Sequence, residues 1–125
     1  MKPTKQTKDN NCFDACLASI LEQPINIFPN YKGVGWETKI QKWLEDNYKK
    51  TILFTNFSDY MLDCMPEIFH IISAELKTGG WHSRVAFKGK IVFDPSPIEY
   101  SKFGVWKTDF TGWKTEFILP ILTKQ

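Results

Sequence analysis

A chemical reading of this chain starts at Cys12. The stretch before it, Gln6 to Asn11, is wholly polar, and the stretch after it, Phe13 to Leu21, is nearly all apolar. A polar loop running into an apolar helix puts this cysteine at a helix N-terminus. Unpaired N–H groups and the helix dipole favour the thiolate there, and the thiolate is the working nucleophile. Two later residues have the chemistry to complete such a site. His82, after Gly79, Gly80 and Trp81, suits a general base that stays as ion-pair partner of the thiolate. Asp94 suits the carboxylate that orients the imidazole and selects its tautomer. Pro95 holds the chain extended at Asp94. Gln6, six positions ahead of Cys12, supplies an amide that can join the Cys12 backbone N–H in holding an oxyanion.

Each of these residues also has a plainer reading. Cysteine in an apolar helix is commonly a small buried hydrophobe. Gln6 alone is an ordinary exposed glutamine, His82 a strand-edge histidine, and Asp94 a salt-bridge partner for Arg84. His70 lies inside the apolar run Ile68 to Ile72 and reads as structural. Cys16 falls on the same helical face as Cys12, which raises a metal site. Structural zinc wants four ligands at recognisable paired spacings, and Cys12, Cys16 and an isolated Cys64 do not supply them. No metal and no cofactor are expected, and Cys16 is assigned to the core. Trp81, beside His82, is placed to wall a substrate groove.

The elements that must position these residues follow from periodicity and breakers. Asn10 or Asn11 is the expected N-cap of the first helix, with Asp14 in its first turn and Pro24 as its stop. Residues 24–35 read as a loop. Trp36 to Tyr48 carries apolar residues at 36, 40, 43, 44 and 48, the spacing of an amphipathic helix. Thr51 to Phe54 and Ile68 to Ile72 read as strands, Asp59 to Cys64 as a helical turn, and Lys77 to Gly80 as a turn. His82 to Phe87 and Lys90 to Phe93 form a hairpin, and Glu116 to Leu122 a last strand whose Pro120 suggests an edge or a bulge. The aromatic-rich residues 98–114 resist assignment. A helix followed by strands predicts an α+β fold, with a buried N-terminal helix on a small, mainly antiparallel sheet.

The hairpin admits two registers. A loop of Lys88 to Lys90 sets Phe87 opposite Ile91 and Val85 opposite Phe93, giving one apolar face. It also sets Asp94 opposite Arg84, leaving His82 and Asp94 as diagonal neighbours roughly 7–8 Å apart at Cα. A two-residue loop, Lys88-Gly89, instead sets Val85 opposite Val92 and puts His82 and Asp94 on opposite faces. The first is favoured because it keeps the Phe and Ile pairs together.

With 125 residues the chain suits a single domain spanning 1–125, and its apolar content is enough for one core. A net charge of +2 without a basic block argues against nucleic acid. No apolar run approaches the roughly 18 residues that span a bilayer, so no membrane segment is expected. The charged first residues lack the apolar core of a signal peptide. Three cysteines do not make a disulfide framework, so a reducing, cytoplasmic setting is expected.

Gln6, five intervening residues, then Cys12 opening a helix resembles the oxyanion-glutamine and nucleophile arrangement of papain-like cysteine peptidases. Asn11 to Ala18 (Asn-Cys-Phe-Asp-Ala-Cys-Leu-Ala) is most similar to the branch that includes the leader-peptide peptidases of bacteriocin exporters, where Cys-Gly-x-Ala-Cys is usual. Gly79 to Pro97 resembles the His strand, turn and Asp-Pro segment of that branch. The match covers residues 6–21 and 79–97 by motif. It implies a papain-like fold, with Cys12 as nucleophile, His82 as base, Asp94 as orienter and Gln6 in the oxyanion hole. It also implies a thioester acyl-enzyme and hydrolysis of a peptide or isopeptide bond in a peptide or protein substrate. Phe13, Gly80 and Trp81 are the expected substrate contacts. Phe13 departs from the family's glycine, and its ring is expected to crowd or reshape the groove, so leader-peptide cleavage does not follow from the resemblance. The exporters' membrane and ATP-binding parts have no counterpart, so a stand-alone, monomeric domain is expected. Two rivals stand beside this reading: acyl transfer through the same residues, and a weakly catalytic or non-catalytic module that binds a protein tail.

Overall fold

The first helix, α1 (Cys12–Leu21), is built from residues that have almost no reason to meet water, and six of its ten are buried. It packs against one face of a five-stranded antiparallel sheet. The computed structural model describes residues 1–8, 10–56, 65–75, 80–96 and 114–120. The expected turn at Asp59 to Cys64 lies outside them, as do Lys77 to Gly79, the aromatics Tyr100 to Trp113, and Leu122. Helix α2 (Trp36–Tyr48) follows, then strands β1 (Lys50–Asn56), β2 (Phe69–Glu75), β3 (Trp81–Phe87), β4 (Lys90–Phe93) and β5 (Lys114–Pro120), in sheet order β1-β5-β2-β3-β4. The architecture is α+β, with a buried helix packed on a small sheet.

One apolar cluster joins the layers. Cys16, Leu17 and Ala18 of α1, Phe28, and Ile40 and Leu44 of α2 meet Ile52, Ile71 and Val85 of the sheet. Each large side chain fully buried here contributes roughly 1.5–3 kcal/mol through the hydrophobic effect. Truncating Leu17, which has no exposed surface, would cost roughly 2–5 kcal/mol, because the cavity adds to the lost transfer energy. α2 is amphipathic and buries only Ile40 and Leu44. The Gln41 amide pins it to β1 through Thr51 Oγ1 at 2.9 Å and the Ile52 carbonyl at 3.2 Å.

Several local expectations are corrected. Asn11 is the N-cap of α1 but makes no side-chain cap bond. Its Oδ1 accepts the Thr7 and Lys8 N–H groups, each at 3.1 Å, and so folds the preceding loop instead. α1 stops before Pro24: Glu22 turns left-handed (φ 57°) and its N–H returns to the Ala18 carbonyl. Residues 24–35 include a 3-10 turn, Ile25–Ile27. The last strand is not at an edge. β5 lies between β1 and β2, and it starts at Lys114. Pro120 is tolerated because β2 pairs β5 only up to Phe117, so the missing N–H of Pro120 falls where one flank is open.

Candidate active site

The hairpin β3–β4 decides where Asp94 goes, and it combines the two expected registers. At the turn, Phe87 pairs with Lys90, so the loop is the two-residue Lys88-Gly89. Both residues have positive φ, 52° and 80°, which is the backbone of a type I′ turn. The three-residue loop is therefore corrected. One step further, Ala86 pairs with Ile91 and Val85 with Phe93, so Val92 is an extra, bulged residue. The bulge restores the Val85–Phe93 pair and returns Asp94 to the side of His82. His82 Nε2–H donates to Asp94 Oδ1 at 2.7 Å. The Ser96 N–H, also on Oδ1 at 2.9 Å, holds the carboxylate in place. Arg84 feels the same negative charge, which favours its protonated form against burial.

The N-terminal segment straps this loop down. Lys5 Nζ donates to the Asp94 and Ser96 carbonyls, both at 3.0 Å, and the Gln6 N–H donates to the Pro95 carbonyl at 2.8 Å. Lys2 and Thr4 bond to Ser19 of α1. One short stretch thus ties the Cys12 helix to the Asp94 loop. Gln6 sits alongside that loop, its Nε2 donating to the Lys8 carbonyl at 2.9 Å while Oε1 is buried without a partner. One amide N–H remains for another acceptor.

Cys12 is half-buried, a free thiol in the first turn of α1. With Asn11 turned away, the first-turn N–H groups have no side-chain cap, which keeps the positive helix end open at the sulfur. Burial pushes this thiol up. The His82 hydrogen bond and charge, and the backbone and side chain of Ser83, outweigh burial and leave it below its ordinary value. His82 answers in kind. Burial works against its charge, yet the Asp94 bond and the Cys12 partner raise it to about 8. With Nε2 committed to Asp94, Nδ1 is the nitrogen left for Cys12. These contacts favour the thiolate of Cys12 and the imidazolium of His82 together, on a histidine only 3% exposed.

A groove of about 390 Å³ opens beside Cys12. It lies between the N-terminal turns of α1 and α2 and the strand residues Phe54, Ser73, Trp81, Ser83 and Glu116. Trp81, 51% exposed, forms one wall, with Lys114 Nζ 5.6 Å above its ring. Phe13 forms another and packs edge-on against Trp36 at 5.2 Å. Gly80 does not line the groove. Its positive φ of 77° turns the chain into β3, and a Cβ there would meet nothing within 4 Å. Its visible role is conformational. Cys16 is fully buried, and burial pushes its thiol well above the ordinary range. His70 is also buried. Its Nε2 accepts the Gly89 N–H at 3.1 Å, so Nδ1 carries the proton and donates to Thr115 Oγ1 at 2.7 Å. It supports the turn that aims Asp94.

Three polar groups of the groove escape a reading of motifs: Ser73, Ser83 and Glu116. Ser73 Oγ lies 2.8 Å from Ser83 Oγ and 3.2 Å from Glu116 Oε2. The available signal is a lone carboxylate inside the apolar strand Thr115 to Leu119, which is 3% exposed.

No protein-family model, curated protein or solved structure matches the chain. Among the described residues no helix is long and apolar enough to cross a membrane. None of the described His, Cys, Asp and Glu side chains gathers into a group of three that could hold a metal.

Proposed function

We propose that this chain is a papain-like cysteine hydrolase cleaving a peptide or isopeptide bond. The observation that carries the reading is that His82 links Cys12 to Asp94, with the sulfur at an uncapped helix start and the 2.7 Å bond behind the imidazole. The Cys12 thiolate attacks the carbonyl carbon, forming the C–S bond as the C=O pair moves to oxygen. The open N–H groups of the α1 first turn and the remaining Gln6 N–H are the donors for that oxyanion. Imidazolium His82 gives its proton to the leaving amine as the C–N bond breaks. Neutral His82 then takes a proton from water, whose oxygen displaces the thioester sulfur and frees the acid. Trp81 and Phe13 flank the acyl or leaving chain. A peptide or protein in a reducing, cytoplasmic setting is the proposed substrate, met by a monomer.

Acyl transfer uses the same residues, with an amine in place of water. Product analysis in the presence of an added amine separates the two. Site-mapped alkylation by iodoacetamide tests the common core. Cys12 should be modified first, well below pH 8, and His82→Ala should slow that reaction. If Cys12 reacts no faster than Cys64, the enzyme reading fails and a module that binds a protein tail takes its place.

A further inference from the structure

Glu116, Ser73 and Ser83 form a hydrogen-bonded row leading from the middle of the sheet to Cys12. The row crosses three strands: Glu116 on β5, Ser73 on β2 and Ser83 on β3. Ser83 and Ser73 are direct cross-strand partners. All three are buried, and Ser83 faces the Cys12 sulfur with both its backbone N–H and its hydroxyl. We propose that Ser73 and Ser83 are a hydroxyl relay through which the protonation state of Glu116 sets the support given to the Cys12 thiolate. The proposal rests on Cys12 being a thiolate nucleophile.

Proton counting gives the row two polarities. Each serine hydroxyl has one proton to donate. When Glu116 is neutral, its O–H donates to Ser73, Ser73 donates to Ser83, and Ser83 is left to donate to the sulfur. When Glu116 gives its proton to solvent, the carboxylate takes the Ser73 proton as acceptor. Ser73 then accepts from Ser83, and Ser83 has nothing left for Cys12. No heavy atom has to move, only two hydroxyl rotors. The 2.8 and 3.2 Å separations fit both polarities. Ser83 N–H stays on the sulfur in either state, so the relay modulates the thiolate and does not create it.

The surroundings hold Glu116 near the crossover. Burial pushes its carboxyl up to about 8, opposed by the Ser73 bond and by Lys114 on its own strand. Glu37 of α2 pushes it the same way as burial. Cys16 of α1 feels its charge, and Cys12 and Asp14 of α1 line the same groove, as do Tyr31 and Lys32 of the following loop. Because Glu116 lines the groove, a group bound there reaches Cys12 by the same route. Glu116 is thus a positioning residue, acting on the nucleophile through two others.

The test follows the Cys12 thiolate by its ultraviolet absorbance, and the His82 ring by NMR, from acid to alkaline pH. In the native chain the Cys12 thiolate signal rises with pH more gradually than a single ionisation, because Glu116 ionising near pH 8 withdraws the Ser83 bond. Glu116→Gln and Ser73→Ala should each remove that flattening while the His82 titration persists. Ser83→Ala should shift the thiol–thiolate equilibrium roughly tenfold toward the thiol, the effect of one hydrogen bond to a charged acceptor. Ser83→Thr should restore it. Glu116→Gln, isosteric with the native side chain, carries the test where a serine variant fails to fold. A native curve in Ser83→Ala overturns the relay. So does a flattening that survives Ser73→Ala, the signature of direct charge repulsion. A native Cys12 that stays a thiol into alkaline pH removes the nucleophile reading itself, and the relay with it.

Discussion

Replacing Asp94 by Asn removes one charge and little else. Asn keeps an acceptor for both the His82 N–H and the Ser96 N–H, which share Oδ1 in the native chain. The carboxylate's worth can be read from His82, which is held at about 8 against an ordinary 6.5. That difference is about 2 kcal/mol of net preference for imidazolium. The favourable contacts supply more than this, because burial pulls the other way. Without the Asp94 charge, burial is opposed only by Cys12, and the His82 value should fall back toward its ordinary 6.5 or lower. At pH 7 the native imidazole is mostly protonated and the variant's mostly neutral. Cys12 loses its cationic partner, and its alkylation near neutral pH should slow about thirtyfold, the rate equivalent of about 2 kcal/mol. Iodoacetamide kinetics against pH, with NMR titration of His82, measure both quantities. Cys12→Ala separates the thiolate's own share of the His82 value. Stability gives an independent reading. His82 is raised on folding, so its contribution is full below pH 6.5 and lost as pH rises through about 8. The Asn variant should lack that alkaline loss. Native alkylation rates with an unmoved His82 titration in Asp94→Asn would refute the charge argument.

Three further outcomes are expected. Burial holds His70 down at about 4, so the unfolded chain binds a proton that the folded chain refuses between pH 6.5 and 4. Stability should fall by about 3 kcal/mol across that window, and His70→Gln should flatten the fall in acid denaturation curves. Glu116 is raised from 4.5 to about 8, so folding works against its ionisation at neutral pH. Glu116→Gln should stabilise the chain at pH 7 by up to about 3 kcal/mol, with the gain vanishing toward pH 4.5, as urea melts at two pH values would reveal. Lys88 holds a left-handed φ of 52° without being glycine. Lys88→Asn, giving Asn-Gly in a type I′ turn, should raise the melting temperature by an amount equivalent to about 0.5–1 kcal/mol.

Much of the scaffold is legible because it is written in local patterns. The α2 spacing at 36, 40, 43, 44 and 48 gives its limits, Trp36–Tyr48, without adjustment. The apolar run after Cys12 marks a buried helix because no polar face is left to expose. Where the reading fails, a long-range choice competes with a local one. Asn11 looks like an N-cap, yet its carboxamide folds the loop to Thr7 and Lys8 instead. The hairpin is the sharper case. Turn chemistry favours the two-residue loop, core pairing favours Val85 opposite Phe93, and a bulge at Val92 satisfies both. Alternation alone cannot foresee an inserted residue. The placement of β5 between β1 and β2 is equally hidden, since its partners lie far away in the chain.

The sequence by itself determined which residues have the chemistry. A cysteine opens an apolar helix, a histidine follows a glycine turn, and an aspartate precedes proline; these depend only on residue type and near neighbours. The tertiary structure decided how they meet. It put the His82–Asp94 bond at 2.7 Å, aimed by a bulge and strapped by Lys5 and Gln6. It took Gly80 out of the groove and brought Glu116, Ser73 and Ser83 in. The reason is physical. Nucleophilicity and basicity belong to side chains and their local peptide. Burial, opposing charge and hydrogen-bond direction belong to neighbours that only folding supplies, and these set the protonation states at this site.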